Sequence, residues 1–309
     1  MLYDVLIVGG GPAGITAAIY AARHRLKTLL IAPKLGGQVA DSWRVENYPG
    51  FRSISGVDLA ERFEEQLEYY RVARERDTVA QVARAEGAFC ARTTQGKEFL
   101  GRAALLCTGR LPRRLGIPGE REFEQRGVTY CATCDAPLFA DLDVAVIGGG
   151  DAALQAAAQL LPIASRVYLV SRREWRAEPA LQDWVRGEEK LTAMVGYLPA
   201  GISGGDWVEK LAVKRKDDER LEEIAVGGVF VEVGAAPNSA MVEGLVERNE
   251  AGEVVVDRLG RTSVPGIFAA GDVTDIPHKQ IVIAAGEGAK AFLTTYDYLL
   301  RHRRDEGEL

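Results

Sequence analysis

The residues from Tyr3 to Val8 are apolar apart from Asp4, and they run straight into Gly9-Gly10-Gly11-Pro12-Ala13-Gly14. An apolar run of this length closed by glycines predicts a buried strand and a tight turn. Ile15 to Arg23 is alanine-rich and predicts a helix, and Thr28 to Ile31 predicts the next strand. The same pattern returns later. Asp143 to Ile147 predicts a strand, Gly148 to Ala153 a turn, Leu154 to Leu161 a helix and Arg166 to Val170 a strand. A repeated strand–turn–helix–strand unit implies an α/β fold with two Rossmann-like dinucleotide-binding modules.

Three more apolar runs end at glycine: Ala103 to Gly109, Val226 to Val233 before Gly234, and Ile267 to Gly271 with Asp272. Ile281 to Leu300 predicts a long closing helix. Arg110–Pro118 and Gly234–Asn238 interrupt the pattern with Pro, Gly and Arg and read as crossings between domains. The first module is therefore expected to be split, 1–112 with 239–309, and the second, 113–238, to be inserted into it.

The 309 residues suffice for two ordinary domains, and a net charge of −6 gives no basic field for nucleic acid. No apolar run reaches the roughly 18–20 residues of a membrane span, and no basic segment precedes Leu2–Val8 as a signal peptide would require. A cytoplasmic location is the expectation. Four cysteines and three histidines leave Cys131-x-x-Cys134 without a second ligand pair, so zinc is not expected.

Gly9-x-Gly11-x-x-Gly14 follows a strand and opens a helix, the context a dinucleotide fingerprint requires. Its glycines allow a tight turn and close backbone approach to a pyrophosphate, which a helix N-terminus attracts. The second strand ends in Ala32-Pro33-Lys34, without the usual ribose-binding acid. Gly148-x-Gly150-x-x-Ala153 is a second fingerprint, with Asp151 and Ala152 inside it. Its partner strand ends in Ser171-Arg172-Arg173, where guanidinium groups suit a 2′-phosphate. NADPH is therefore favoured over NADH, the alternative being a solvated arginine pair. Between the fingerprints, Cys131 and Cys134 lie within bridging range if the segment forms one helical turn. Asp135 follows directly and can carry the proton that thiol exchange needs. Cys90 and Cys107 read as inert core residues.

The motifs GGGPAG (9–14), GGQ (36–38), ENYPG (46–50), TGRLPRRLGIPGE (108–120), RGVTYCATCD (126–135), GGGDAA (148–153), PN (237–238) and FAAGDV (268–273) together resemble the bacterial-type, low-molecular-weight thioredoxin reductases. The resemblance implies FAD in the split domain, NADPH in the inserted domain, a homodimer and a thioredoxin-like protein substrate. It implies that Gly9, Gly11, Pro12, Ala13, Gly14, Gly36, Gly37, Gln38, Asn47, Thr108, Gly109 and Gly271 line the FAD site. Asp272 is then expected near the ribityl–phosphate region, with Lys279, Gln280 and Ile281 at the isoalloxazine end. Arg176 joins Arg172 and Arg173 as a nucleotide-binding candidate, although the run is one residue shorter than the family's. The resemblance also gives Cys134 the flavin-facing role, Cys131 attack on the protein disulfide, Asp135 the proton, and the two crossings a domain rotation.

The stretches 276–299 and Asp135-Ala136-Pro137-Leu138-Phe139 are more similar to the flavoprotein component of alkyl hydroperoxide reductase. That component has an N-terminal thioredoxin-like region that this chain is expected to lack. Arg126 and the Pro137-Leu138-Phe139 tip are the expected docking residues. The chain thus reads as a thioredoxin-disulfide reductase. The rivals are a related flavin disulfide oxidoreductase with another donor or partner (a peroxiredoxin-linked reductase or small-dithiol oxidase) and a redox-sensing nucleotide-binding protein.

Overall fold

Val5 to Val8 are almost completely shielded from solvent, because Val5 and Ile7 pack into one core cluster on one sheet face and Leu6 and Val8 into another on the opposite face. A computed structural model describes residues 1–42, 45–217 and 220–305 and divides the chain into two compact units, Met1–Leu111 with Ala236–Leu309, and Pro112–Ala235.

In the first unit, strand Leu2–Val8 lies between Thr28–Ile31 and Glu98–Leu106, with Ala73–Glu75 beyond Thr28–Ile31. Ile267–Ala269 joins the C-terminal half of Glu98–Leu106, again in parallel. The chain runs outward on one side of Leu2–Val8 and then returns to the other side, so strand order reverses at its C-terminal end. A doubly wound sheet opens its ligand crevice at such a point. Helix Pro12–Arg23 begins earlier than the apolar pattern predicts, because Pro12 fits the first helical position. It packs against the closing helix Ile281–Asp305, which runs past the expected Leu300. A Cβ at Gly288 would stand 2.1 Å from the Ala13 carbonyl oxygen, so only glycine permits this approach of the two helices.

The strand expected over 103–109 instead spans Glu98–Leu106. Its N-terminal half closes an antiparallel meander with Val79–Ala85 and Ala88–Thr93, which the apolar pattern did not reveal. Gly87 turns that hairpin at φ +65°. Cys90 lies on it half-buried rather than in the core, whereas Cys107 is buried.

The second unit holds a five-stranded parallel sheet in the order Leu191–Val195, Arg166–Ser171, Asp143–Ile147, Gly228–Val231, Val128–Thr129. Helix Asp151–Leu160 covers one face, with Leu154, Ala157 and Leu160 packed on Val144, Val146 and Phe230. An antiparallel sheet of Tyr197–Gly204, Val208–Arg215 and Leu221–Ala225 covers the other, with Ile202, Leu211 and Val213 against Ala145, Ile147 and Val229. Both faces are dry, which explains why the central strands read as unbroken apolar runs. The expected run 226–233 shortens to Gly228–Val231.

Candidate functional site: two glycine turns and a disulfide

In the first unit, Gly9 adopts φ +115°, and a Cβ there would lie 2.2 Å from the Cys107 carbonyl oxygen. A Cβ on Gly14 would lie 1.9 Å from Gly9 O, whereas one on Gly11 would meet nothing within 4 Å. The turn is thus packed from below and open at Gly11. Gly11 caps helix Pro12–Arg23 without a side-chain hydrogen bond, and no acidic residue occupies the first turn. Free N–H groups and an unopposed helix dipole at an open glycine suit a pyrophosphate.

Several sequence-expected residues converge on this turn. A Cβ on Gly37 would stand 3.0 Å from Gly11 Cα, and one on Gly271 would stand 3.1 Å from Ala13 Cβ. Gln38 Nε2 donates to Arg110 O at 2.6 Å, and Arg110 Nε lies 3.8 Å from Asp272 Oδ2. Burial raises the Asp272 carboxyl above the usual range, against the pull of Arg110 and Lys279. Asn47 Nδ2 donates to Gln280 Oε1 at 3.1 Å, just before Ile281 opens the closing helix. Thr108 Oγ1 donates to Asn238 O, and Asn238 N–H donates to Gly109 O at 2.9 Å, placing Asn238 in this unit. The Lys279 ammonium, which also acts on Asp272, donates to Thr274 O and pairs with Glu253 at 3.3 Å.

In the second unit, Gly148 sits at φ +152°, where a Cβ would lie 2.4 Å from Glu232 O and 2.7 Å from Ala153 Cβ. Gly150 again has open space, and it caps helix Asp151–Leu160 without a side-chain bond. The Asp151 carboxylate accepts from Glu178 N–H at 2.9 Å, and Arg176 N–H donates to Gly149 O at 2.7 Å. These two bonds draw the segment after Arg166–Ser171 over the glycine turn. Arg172, Arg173 and Arg176 are exposed there, without a side-chain hydrogen bond or ion pair among the described residues. Ser171, just before them, is 3% exposed with its Cβ beneath Gly149, because it is the last residue of a buried strand.

The dithiol occupies the C-terminal edge of the same sheet. Strand Val128–Thr129 leads into the helical turn Ala132–Asp135, with Cys131 as its N-cap. Cys131 and Cys134 form a disulfide with S–S 2.13 Å and Cα–Cα 5.3 Å. Cys134 N–H points at Cys131 Sγ from 3.3 Å, a donor that favours negative charge on that sulfur. Asp135 is largely buried; burial raises its carboxyl above the usual range, while a hydrogen bond from Thr129 works against that rise. Glu232, whose carbonyl abuts Gly148, also places Oε1 3.4 Å from Ala132 N. One residue thus touches both the nucleotide turn and the dithiol turn.

Beside the dithiol lies a network that the motifs did not single out. Glu120, 1% exposed, accepts from Leu115 N–H at 2.8 Å, Gly116 N–H at 2.7 Å and the Tyr130 hydroxyl at 3.0 Å. Arg114 donates to Tyr130 Oη at 3.1 Å and forms a bidentate pair with Glu124. Burial, then Glu120, raises the Tyr130 phenol, so it stays protonated as a donor. In the sequence Glu120 stands among Arg121, Glu122 and Glu124, so nothing there marks it as the buried acid. Glu120→Ala should cost about 2–4 kcal/mol of stability, because it strands three part-buried donors around a buried acid. Denaturant unfolding checks this; a loss under about 0.5 kcal/mol would mean that water satisfies the same donors.

The expected docking tip is only partly at the surface. Phe139 is 3% exposed and meets Phe230 edge-on at 4.9 Å, so it is a core residue. It fills the space left by Gly228, where a Cβ would lie 2.4 Å from its ring. Pro137 is exposed and Leu138 half-buried. Arg126 is exposed but donates to Glu122 O and lies over the Phe123 ring. Among the described residues no helix is long and apolar enough to cross a membrane, and no three His, Cys, Asp or Glu side chains gather as metal ligands.

Two glycine turns at sheet switch points, one sharing its sheet edge with a disulfide, define a nucleotide-dependent disulfide oxidoreductase fold. The chain belongs to the pyridine nucleotide-disulphide oxidoreductase family, whose model matches residues 3–289. It is similar to a thioredoxin reductase structure from Streptococcus pyogenes, at TM-score 0.93 and 38% identity over 97% of this chain and 99% of that one. Among curated relatives, the F component of alkyl hydroperoxide reductase from Pseudomonas putida is 41% identical over 304 residues, and an NADH dehydrogenase of Ferdinandcohnia aciditolerans 38% identical over 301. The alignments cover 97% of this chain and 58% of each relative, so the chain spans little more than half their length.

Proposed function

We propose that this chain is an NADPH-dependent flavin disulfide reductase that passes electrons through Cys131–Cys134 to a thioredoxin-like protein. The observation that carries this reading is the disulfide and the second glycine turn on one sheet edge, bridged by Glu232. The first turn fits the pyrophosphate of FAD: it is open at Gly11, backed by uncapped helical N–H groups and surrounded by Gly37, Gly271 and the Asn47–Gln280 pair. FAD, when bound, supplies the two-electron link between nicotinamide and disulfide.

The chain's own groups do the rest. Arg172 and Arg173 offer unpaired cations to a 2′-phosphate, with Arg176 close behind. Once the disulfide has received two electrons, one sulfur attacks the substrate disulfide and the other resolves the mixed disulfide. The resemblance assigns attack to Cys131, and the Cys134 N–H at its sulfur agrees with that choice. Asp135, kept protonated to higher pH by burial, stands next to Cys134 and can return a proton to the leaving thiolate. A cytoplasmic homodimer remains part of the proposal by resemblance.

A second reading is favoured by the 41% identity to an alkyl hydroperoxide reductase component: a partner that itself serves a peroxidase. The protein should purify yellow with about one FAD per chain. Anaerobic turnover with NADPH against a panel of thioredoxins and peroxiredoxins then decides the partner. A folded, colourless protein that cannot be loaded with FAD would end both readings.

A further inference from the structure

We infer that Thr129 is a positioning residue of the dithiol centre, its one hydroxyl holding the Asp135 carboxylate and the Cys131 backbone in a fixed relation. The inference rests on the proposed disulfide reduction, in which Asp135 carries the proton.

Thr129 ends the two-residue strand Val128–Thr129 and pairs with Phe230 in the sheet. It is 8% exposed, and its branched Cβ restricts χ1, so the hydroxyl has little freedom. Oγ1 donates to Asp135 Oδ2 and accepts from Cys131 N–H at 3.3 Å. A hydroxyl carries one proton. Spending it on Asp135 and receiving the Cys131 N–H satisfies all three groups when the carboxylate is ionised. Donation into a carboxylate favours that ionised form. Burial acts in the opposite direction and is the larger effect on Asp135. Thr129 therefore limits how tightly the buried acid holds its proton, and aims the acid while doing so. A valine has nearly the same shape but offers neither the donor nor the acceptor.

Also packed at this turn are Glu232, whose Oε1 lies 3.4 Å from Ala132 N, and the two cysteines, which do not titrate while joined as the disulfide. The Tyr130 hydroxyl is directed to Glu120 and Arg114 rather than to Asp135. No charged partner of Asp135 competes with Thr129 among the described residues.

The test compares Thr129→Val and Thr129→Ser in the full chain, with Asp135→Asn identifying the carboxyl band by its loss. Difference infrared titration of the disulfide form reads Asp135 protonation and needs neither flavin nor nucleotide. In Thr129→Val the midpoint should rise by about one to two pH units, the worth of one hydrogen bond to a charged group. The alkaline limb of kcat for protein-disulfide reduction should rise with it, while KM for NADPH stays put. Thr129→Ser should restore both values. If Thr129→Val does not fold, Thr129→Ala gives the same comparison. An unmoved midpoint, or a serine variant that shifts as far as valine does, would overturn the inference. A wild type that reduces no disulfide would refute the functional proposal instead, and the infrared midpoint would still judge the Thr129–Asp135 link.

Discussion

Replacing Cys131 or Cys134 with serine is expected to reduce disulfide-reductase turnover to background while NADPH still bleaches the bound flavin. Hydride transfer requires no thiol, whereas exchange requires an attacking sulfur and a resolving sulfur. The other two cysteines cannot stand in. Burial pushes the Cys107 thiol far above its ordinary range, so it yields no thiolate near neutral pH. Cys90 is half-buried on the meander of the other unit, with its thiol also raised, first by burial and then by Glu98. The two serine variants should not behave alike. Cys134→Ser leaves Cys131 free for alkylation, with the backbone N–H at position 134 still offered to that sulfur. Cys131→Ser removes the sulfur that caps the helical turn and leaves a thiol next to Asp135. Alkylation rates over a pH series would separate them, and appreciable turnover in either variant would contradict the assigned dithiol.

The second large effect concerns the nicotinamide cofactor. Wild-type kcat/KM should be higher for NADPH than for NADH, and Arg172→Ala/Arg173→Ala should erase most of that difference. Each hydrogen bond to a phosphate contributes roughly 1.5–3 kcal/mol when shielded. Both arginines are exposed, so salt screening lowers the expected preference to about 10²-fold. Their lack of other partners among the described residues means that no existing ion pair must break first. Ser171 adds nothing to the preference, since its hydroxyl is buried away from solvent. Equal efficiency with both nucleotides, or an unchanged ratio in the double variant, would refute this role for the pair.

The two βαβ units were legible because each strand is buried on both faces and each turn needs glycine. Leu2–Val8, Thr28–Ile31 and Asp143–Ile147 therefore stand where the apolar runs lie. The antiparallel segments Val79–Thr93 and Tyr197–Ala225 were not legible. One face of each is solvated, so Arg84, Arg92, Lys210 and Glu223 interrupt any apolar run. Residue types suggested Cys131, Cys134 and Asp135, but their supports depend on contacts between distant positions. Glu120 reaches Tyr130 across ten residues, and Glu232 reaches Ala132 across a hundred. Phe139 looked like part of a docking tip because an aromatic follows Pro137-Leu138; only the sheet packing over Gly228 makes it core. Lys279 was aligned with the flavin residues by position, yet nothing in its sequence context announces the Glu253 and Thr274 partners that hold it.

Under the proposed function, electrons from NADPH reach the Cys131–Cys134 disulfide. Anaerobic addition of NADPH to flavin-loaded protein, followed by thiol alkylation and peptide mass spectrometry, tests it most directly. Both cysteines should become alkylated in proportion to NADPH consumed, and an oxidised thioredoxin-like protein added before the alkylating agent should return them to the disulfide. Bleaching of the flavin with Cys131 and Cys134 still joined would contradict it.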